Sequence, residues 1–332
     1  MRDMTPLPDA APPVYTPFEH GRYDVTPGLL VLGRHAVQGR AESHVYAFDR
    51  QLPEFVRAKV EVRARLHLHY VQAALPPDLR RAALEAFLAP LARDSGGAVT
   101  WDGQRLANAW LGWSARLDLE RGSVEGLRRK DGPLAHLVRE VEPRDALDFI
   151  ALNVPEDLTV VARDPATQED WQAALHVCFP QGWDPRDKVG RSFAAVHAPV
   201  GGAGALLSAA SRLTTAMTTK GPFVRFAWGL HASGGFGAHP ALVHEEVRDF
   251  DPSSTWLRVE RQTLAPLPGG AGAVFTIRPY LTPLLEVADD PSRRERLALA
   301  LVSMKVEHLR YKGMTSWRDD VVAWLRGDHP GR

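Results

Sequence analysis

The chain has 332 residues, of which 45% are hydrophobic, so it can bury the core of one large domain or two modest ones. Forty basic and forty acidic side chains give a formal net charge of zero, which offers no support for a nucleic-acid partner. No apolar run approaches the roughly 18 residues of a membrane span, and residues 1–18 lack the apolar core of a signal peptide. We therefore predict a cytoplasmic protein that binds neither nucleic acid nor a membrane.

Cys178 is the only cysteine. The chain therefore cannot form an intrachain disulfide, which fits a reducing compartment, and it cannot hold a cysteine-ligated iron–sulfur cluster by itself. Cys178 lies within a predicted apolar strand. A small buried hydrophobic residue is accordingly favoured over an axial thiolate ligand.

The first half of the chain is predicted to be largely helical after a proline-rich arm over residues 1–16. Apolar residues recur at helical spacing over 52–75, and a second helix is expected over 79–93. A further helix is expected over 134–152, followed by a strand that begins near residue 154. These elements predict that helices dominate the N-terminal portion.

Two histidines in this half, His67 and His69, raise the question of a metal site. Residues two apart on a helix point in diverging directions and cannot easily share one ion. Both are therefore interpreted as ordinary surface or groove histidines.

Residues 170–200 combine polar and apolar side chains in a pattern typical of a functional segment. Alternation over 175–179 predicts a strand with His176 and Cys178 on one face. A second apolar run ends at His197, just before a turn that contains Pro199 and two glycines. A histidine in this position is a plausible metal or haem ligand. The alternative is that His197 simply bonds a nearby carbonyl group.

Residues 255–280 are predicted to form two strands joined by a Pro/Gly loop over 265–270. On the first strand, alternation places Arg258 and Glu260 on one face and Arg261 on the other, among apolar residues. A guanidinium there either extends to solvent or meets an anion. The alternative is a strand face stabilised by charge pairs.

The remaining segments predict a helix over 205–219, a strand over 223–230 and two C-terminal helices. Asp290 is expected to cap the first of these helices, with Pro291 at its first position and its end near Leu309. The last helix is expected over 317–325.

Four motifs in these segments resemble the haem-dependent oxidative N-demethylase family, which includes the haem subunit of dimethylamine monooxygenases. They are F-P-x-x-W-x-P-x-x-K-x-G at 179–190, V-H-x-P-V at 196–200, R-x-E-R-Q-T-L-x-x-L-P at 258–268 and F-T-I-R at 275–278. Their order and spacing carry the resemblance, which runs from about Phe18 to Gly313. The chain departs from the family pattern at Gln181, Gly201 and Ala227, where the family usually has serine, proline and asparagine.

The resemblance implies an α+β fold with a PAS-like mixed or antiparallel sheet flanked by helices and a helical N-terminal portion. We predict a single haem-binding domain over 17–326. Its helical first half is expected over 50–150, its PAS-like core over about 150–285 and its C-terminal helices over 290–326.

The resemblance also implies haem b as the cofactor. His197 is the predicted axial ligand of the haem iron, and His176 is the alternative. Arg258 and Arg261 are predicted to pair with the haem propionates, because a planar guanidinium matches a carboxylate, and Lys188 is a further candidate.

The activity that the resemblance implies is oxidative N-demethylation of a small alkylamine with dioxygen, which releases formaldehyde. Glu260 is the predicted catalytic residue, either holding a cationic amine or relaying protons; alternatively, it neutralises an arginine. The sequence contains no recognisable flavin or nicotinamide fingerprint, so the electrons must come from a separate reductase. Two alternatives remain: a haem sensor or carrier without amine turnover, and a haem-free structural or small-ligand protein.

Overall fold

The computed structural model describes residues 5–24, 28–201, 204–242 and 249–327. The described strands are β1 (Leu30–Val31), β2 (Ala36–Val37), β3 (Arg40–Ala41), β4 (Tyr70–Gln72), β5 (Val99–Trp101), β6 (Arg105–Asn108), β7 (Trp113–Asp118), β8 (Ser123–Arg129), β9 (Asp157–Arg163), β10 (Asp170–His176), β11 (Phe223–His231), β12 (Trp256–Pro266) and β13 (Gly272–Pro283). The described α-helices are α1 (Leu52–Arg65), α2 (Pro77–Leu88), α3 (Leu91–Asp94), α4 (Ala146–Leu152), α5 (Phe193–His197), α6 (Gly204–Ser208), α7 (Ala210–Thr219), α8 (Leu284–Ala288), α9 (Pro291–Val302), α10 (Val306–Tyr311) and α11 (Arg318–Arg326). Short 3₁₀ helices lie at His67–His69, Ala135–Leu137, Pro185–Asp187 and Pro268–Gly270.

The main sheet is antiparallel and has the strand order β1-β11-β12-β13-β9-β10-β4. Its centre is the β12–β13 hairpin, which confirms the two strands and the Pro/Gly loop predicted from the sequence. Directly opposite residues in an antiparallel pair share a face of the sheet. Gln262 faces Ile277 across the hairpin, and Phe275 faces Thr159 on β9, so these four side chains lie on one face.

The prediction of a helical first half over 50–150 is wrong for its central part. Residues 99–129 form a four-stranded antiparallel sheet, β5-β6-β7-β8. Along β7, Trp113, Ala115 and Leu117 are buried, while the residues between them are partly or fully exposed. This period of two favours a strand with one buried face over a helix.

The helices predicted over 52–75 and 134–152 are shorter than expected. The first, α1, ends at Arg65, and the chain then enters β4 at the edge of the main sheet. The second is confined to α4, with Asp145 as the N-cap, whose side chain accepts a hydrogen bond from the Asp148 backbone N–H at 2.9 Å. Pro143 disfavours a helical conformation in the residue before it, so the helix begins only after this point.

The C-terminal helices begin as predicted. Asp290 caps α9 by accepting a hydrogen bond from the Arg293 backbone N–H at 2.7 Å, and Pro291 occupies the first turn. However, α9 ends at Val302, and α10 is a separate helix. No helix within the described ranges combines the length and the apolar character needed to cross a membrane.

The two faces of the main sheet have different surroundings. One face, called the packed face here, buries Val160 and Val274 against the N-terminal helices and the smaller sheet, and Val259 against α8–α11. The other, called the cavity face, packs Leu264 against α5–α7. Residues 5–16, predicted as a loose arm, lie against the fold, because Tyr15 is buried and the Trp110 indole donates to the Pro6 carbonyl at 2.7 Å.

Candidate functional site

A cavity of about 1020 Å³ lies on the cavity face of the main sheet. Residues of five strands line it, among them Thr159 on β9, Leu175 on β10, Arg225 on β11, Gln262 on β12 and Phe275 on β13. Helix α5 and the segment that precedes it form a further wall. A volume of this size is at the upper end of the range for small-molecule and cofactor sites.

His197 enters the cavity from the last residue of α5, a short helix capped by the Ser192 hydroxyl. Its Nδ1 lies 2.8 Å from the Phe193 carbonyl oxygen, which fixes the proton on Nδ1 as the hydrogen-bond donor. Within the described part of the chain, Nε2 has no hydrogen-bond partner and keeps its lone pair. Burial lowers the pKa of His197 to about 4, so the ring is neutral at neutral pH. The ring therefore bonds a carbonyl with one nitrogen and offers the other to a ligand.

A second histidine, His231, also lines the cavity, at the end of β11. The side-chain amide of Gln181 lies against its ring. Burial, together with the nearby positive charges of Arg258 and Lys312, lowers the pKa of His231 to about 3. No motif in the sequence singles out His231, but alternation along β11 places it on the same face as Arg225.

A cluster of charged side chains surrounds Glu260 on the cavity face. Arg258 donates to the Phe179 carbonyl oxygen at 2.8 Å and to Glu260 at 3.2 Å. Glu260 also accepts a hydrogen bond from the Gln262 amide at 3.0 Å. The cluster thus fixes the carboxylate of Glu260 between two neighbours on its own strand.

Two further cations of this cluster, Arg225 and Lys312, were missed by the sequence analysis. Arg225 stands opposite Gln262 in the β11–β12 register, and Lys312 packs over Gly229, which faces Arg258. No hydrogen bond to either side chain is found among the described residues, and burial lowers the pKa of both. Within the described residues, three cations therefore surround one carboxylate, and two of the cations lack a hydrogen-bonded partner.

Lys188 lines the same cavity, next to α5. Its ammonium group donates to the Val196 carbonyl oxygen at 2.9 Å and lies 6.0 Å from the centre of the Trp183 ring. Burial lowers the pKa of Lys188. The contact ties the end of α5, and with it His197, to the preceding loop.

The structure brings Lys188, His197, Arg258 and Glu260 together at the cavity. It places the other two predicted site residues on the packed face, where they do not line it. His176 Nε2 lies 3.0 Å from Asp148 Oδ1. Arg261 is only 2% exposed.

The Arg261 guanidinium donates to Glu42 at 2.7 Å and to two backbone carbonyl oxygens. Alternation along β12 turns Arg261 away from the face that carries Arg258, so the two arginines cannot serve the same cavity. Arg261 has therefore met an anion, as the sequence allowed, but the anion belongs to the chain itself.

A protein-family comparison matches residues 103–322 to the family described as "Haem-dependent oxidative N-demethylase, alpha subunit-like". The chain belongs to this family. The matched span contains all four predicted motifs and the cavity residues from Thr159 to Lys312, whereas residues 1–102 lie outside it. The family description indicates dependence on haem and an oxidative N-demethylase type of function.

The residues of the cavity fit a haem. A haem needs a ligand for its iron, apolar walls for its ring and cations for its two propionates. His197 offers an uncommitted Nε2, while Phe193 and Phe275 supply apolar surface. Arg225 and Lys312 are half-buried cations that line the cavity and have no hydrogen-bond partners among the described residues, which is the state expected of groups that pair with an anionic ligand.

Proposed function

We propose that this chain binds haem b in the cavity and catalyses the oxidative N-demethylation of a small alkylamine. The observation that carries the proposal is the His197 ring, held by the Phe193 carbonyl with its Nε2 free among the described residues, within the span matched by the family. Metal-ligating histidines characteristically donate their other N–H to such an acceptor, which orients the ring.

We further propose that the core is PAS-like. Numbered along the chain from β9 to β13, the five central strands have the sheet order second, first, fifth, fourth, third. Helices α5–α7 lie between the second and third of these strands and cover the cavity face. This strand order, with helices over one face, supports a PAS-like sheet as the haem-binding core.

In this proposal, His197 would bind the haem iron through Nε2, and Arg225, Lys312 and Arg258 would pair with the propionates. Arg261 is not assigned to the haem because Glu42 already satisfies its charge. A bound haem supplies the dioxygen chemistry and the electron transfer that amino-acid side chains lack. The protein supplies the ligand, the charge balance and the shielding from water.

The charge balance also bears on Glu260. The three cations and one carboxylate of the cluster have a net charge of plus two, which disfavours a cationic amine. Two propionates neutralise this excess, and Glu260 can then hold an alkylammonium ion or move a proton next to it. The amine-binding role proposed for Glu260 therefore depends on prior occupation of the cavity by haem.

The overall reaction consumes a methylamine, dioxygen, two electrons and two protons, and yields the demethylated amine, formaldehyde and water. The chain has one cysteine, and burial raises the pKa of this Cys178 thiol, so it remains protonated. We propose that a separate reductase supplies the two electrons. The words "alpha subunit-like" in the family description are consistent with a protein that works with a partner.

Substitution of histidines in the full chain tests the haem ligand. We expect His197→Ala to lose the native Soret band and to weaken haem binding, whereas His231→Ala and the exposed control His67→Ala keep the band. Haem titration followed by absorption spectroscopy measures both properties. If His197→Ala keeps the native Soret band and His231→Ala or His176→Ala loses it, the ligand of the haem iron is His231 or His176 and not His197.

A turnover assay tests the activity. Haem-loaded protein, a reductase, NAD(P)H and a panel of small methylamines should give amine-dependent formaldehyde, and Glu260→Gln should lower the rate without loss of the Soret band. If the haem is reduced but no amine yields formaldehyde, the protein is a haem sensor or carrier. If no haem binds, it is a structural or small-ligand protein.

A further inference from the structure

A second histidine cluster lies away from the cavity, behind the packed face of the main sheet. His69 belongs to the 3₁₀ helix after α1, His176 ends β10, and Asp148 lies on α4. The three side chains are fully buried, and one potential ligand atom from each lies within 4.8 Å of the others. The interpretation of His69 as an ordinary surface or groove histidine is therefore wrong, because the chain leaves the helix before this residue.

Each histidine has one engaged and one unengaged ring nitrogen. His69 Nδ1 lies 2.6 Å from the Leu66 carbonyl oxygen, and His176 Nε2 lies 3.0 Å from Asp148 Oδ1. The other two atoms, His69 Nε2 and His176 Nδ1, are buried and have no partner in the described part of the chain. A buried polar atom without a partner costs about 1–3 kcal/mol. Two such atoms on rings whose centres are 5.0 Å apart therefore point to a ligand that both can bind.

The engaged nitrogens are in the arrangement found behind metal ligands. A histidine that binds a metal usually donates its second N–H to a backbone carbonyl or a carboxylate, which fixes the tautomer and the ring orientation. Leu66 supplies such a carbonyl to His69, and Asp148 supplies such a carboxylate to His176.

We propose that His69 Nε2 and His176 Nδ1 bind a divalent late transition-metal ion, with Zn²⁺ as the ion of choice, and that Asp148 positions His176. Imidazole nitrogen is a preferred ligand of Zn²⁺. With Zn–N bonds of about 2.0 Å and a tetrahedral angle, two ring centres lie about 5 Å apart. The centres of His69 and His176 are 5.0 Å apart, a separation that matches a bent pair of ligands and not a linear one.

The charge of the ion can be balanced at this site. Asp148 is ion-paired with Arg63, whose side chain is 13% exposed and reaches the exposed Glu142 carbonyl. Arg63 can therefore move toward solvent when the ion arrives, which leaves the carboxylate of Asp148 to face the positive charge. The ion would tie the 3₁₀ helix after α1 to the end of β10, which Asp148 links to α4, and it would act independently of the haem.

Measuring the zinc content of the protein tests the proposal and does not require an activity assay. Full-length protein is freed of metal with a chelator, equilibrated with Zn²⁺, desalted and analysed for zinc and iron by mass spectrometry. We expect about one zinc per chain and a zinc-dependent rise in melting temperature. His69→Phe, which keeps the ring volume but has no lone pair, should lose both, and His67→Ala in the same 3₁₀ helix should keep both.

An absence of zinc from the wild-type protein, or equal zinc in the wild type and in folded His69→Phe, would overturn the proposal. If His69→Phe does not fold, anomalous diffraction data collected at the zinc absorption edge from a crystal of the wild-type protein test the proposal instead. A peak between His69 and His176 supports the proposal, and a peak elsewhere or none contradicts it.

Discussion

Both faces of the main sheet carry buried charges, but the charges are in different states. On the packed face, Arg261 pairs with Glu42 and Arg278 pairs with Asp49, each with an N–O distance of 2.7 Å. On the cavity face, Arg225 is half-buried and has no hydrogen-bonded partner among the described residues. A buried charge that is paired within the chain serves the fold, whereas a half-buried charge that lines a cavity without a partner indicates a ligand.

The histidines show the same contrast in a second form. His197 and His69 each donate one N–H to a backbone carbonyl oxygen, and His176 donates one N–H to the carboxylate of Asp148. The second ring nitrogen of each histidine has no hydrogen-bond partner within the described ranges. The open nitrogen of His197 lies at a large cavity, whereas the open nitrogens of His69 and His176 belong to fully buried rings whose centres are 5.0 Å apart. The two proposed sites therefore differ in the space around the open nitrogens, which suits a cofactor in the first case and a single ion in the second.

The largest expected effect comes from breaking a satisfied pair. Arg261→Met leaves Glu42 buried without its cation, and the loss of an ion-pair partner in such a site costs about 3–5 kcal/mol of the free energy of unfolding. Arg225→Met is the matched control and should change the stability of the haem-free protein little or raise it. Chemical denaturation measures the free energy of unfolding of both variants. An equal loss in Arg261→Met and Arg225→Met would contradict the proposed difference between the paired charges of the packed face and the unpaired charges of the cavity face.

A pH effect of intermediate size is expected on the cavity face. Burial and two nearby cations lower the pKa of His231 to about 3, below its ordinary value near 6.5. The unfolded chain therefore binds a proton at this residue that the folded chain refuses, so stability falls as the pH drops below about 6.5. Between pH 7 and pH 4.5 the loss is roughly 2 kcal/mol from this group.

His231→Gln should remove this part of the pH dependence in the haem-free protein. His67→Gln, a change at an exposed position, is the control. Denaturant unfolding at a series of pH values gives the slope for each variant. If the free energy of unfolding of His231→Gln depends on pH as steeply as that of the wild type, the His231 ring takes up its proton in the folded state, which contradicts the prediction.

The smallest of these effects concerns the unpartnered cations. If Arg225 and Lys312 pair with the propionates, Arg225→Met and Lys312→Met should each weaken haem affinity by roughly tenfold, the scale of one charge-assisted hydrogen bond. Exposed Arg212 on α7 serves as the control through Arg212→Met. Haem titration provides the readout, and undiminished affinity in both cavity variants would assign the propionates to other residues.

Much of the central architecture follows from local patterns in the sequence. The alternation of β12 and β13 and the Pro/Gly loop between them predict the hairpin, and Asp290 with Pro291 predicts the start of α9. The same alternation predicts that Arg258 and Glu260 share one face of the sheet and that Arg261 lies on the other. The N-terminal portion is predicted less well, because the strands over 99–129 are short and their period of two extends over only a few residues in each.

The candidate site is predicted in part. His197, Lys188, Arg258 and Glu260 lie at the cavity, and the family suggested by the motifs is confirmed. Arg225, His231 and Lys312 were missed because two of them lie at unremarkable positions on a strand and the third follows a helix that was predicted as part of a longer one. Only their convergence on one cavity gives them a shared function.

The sequence by itself determined the family, because the order and spacing of the four motifs can be read along the chain. It also determined the hairpin, because alternation and turn residues depend on neighbours within a few positions. The tertiary structure alone decided which cation meets which anion and which histidines meet. Arg261 and Glu42 are 219 residues apart, and His69 reaches His176 because β4 pairs with β10, where Tyr70 lies opposite His176. Pairing over such separations depends on which faces the fold brings together, and no local pattern of residues contains that information.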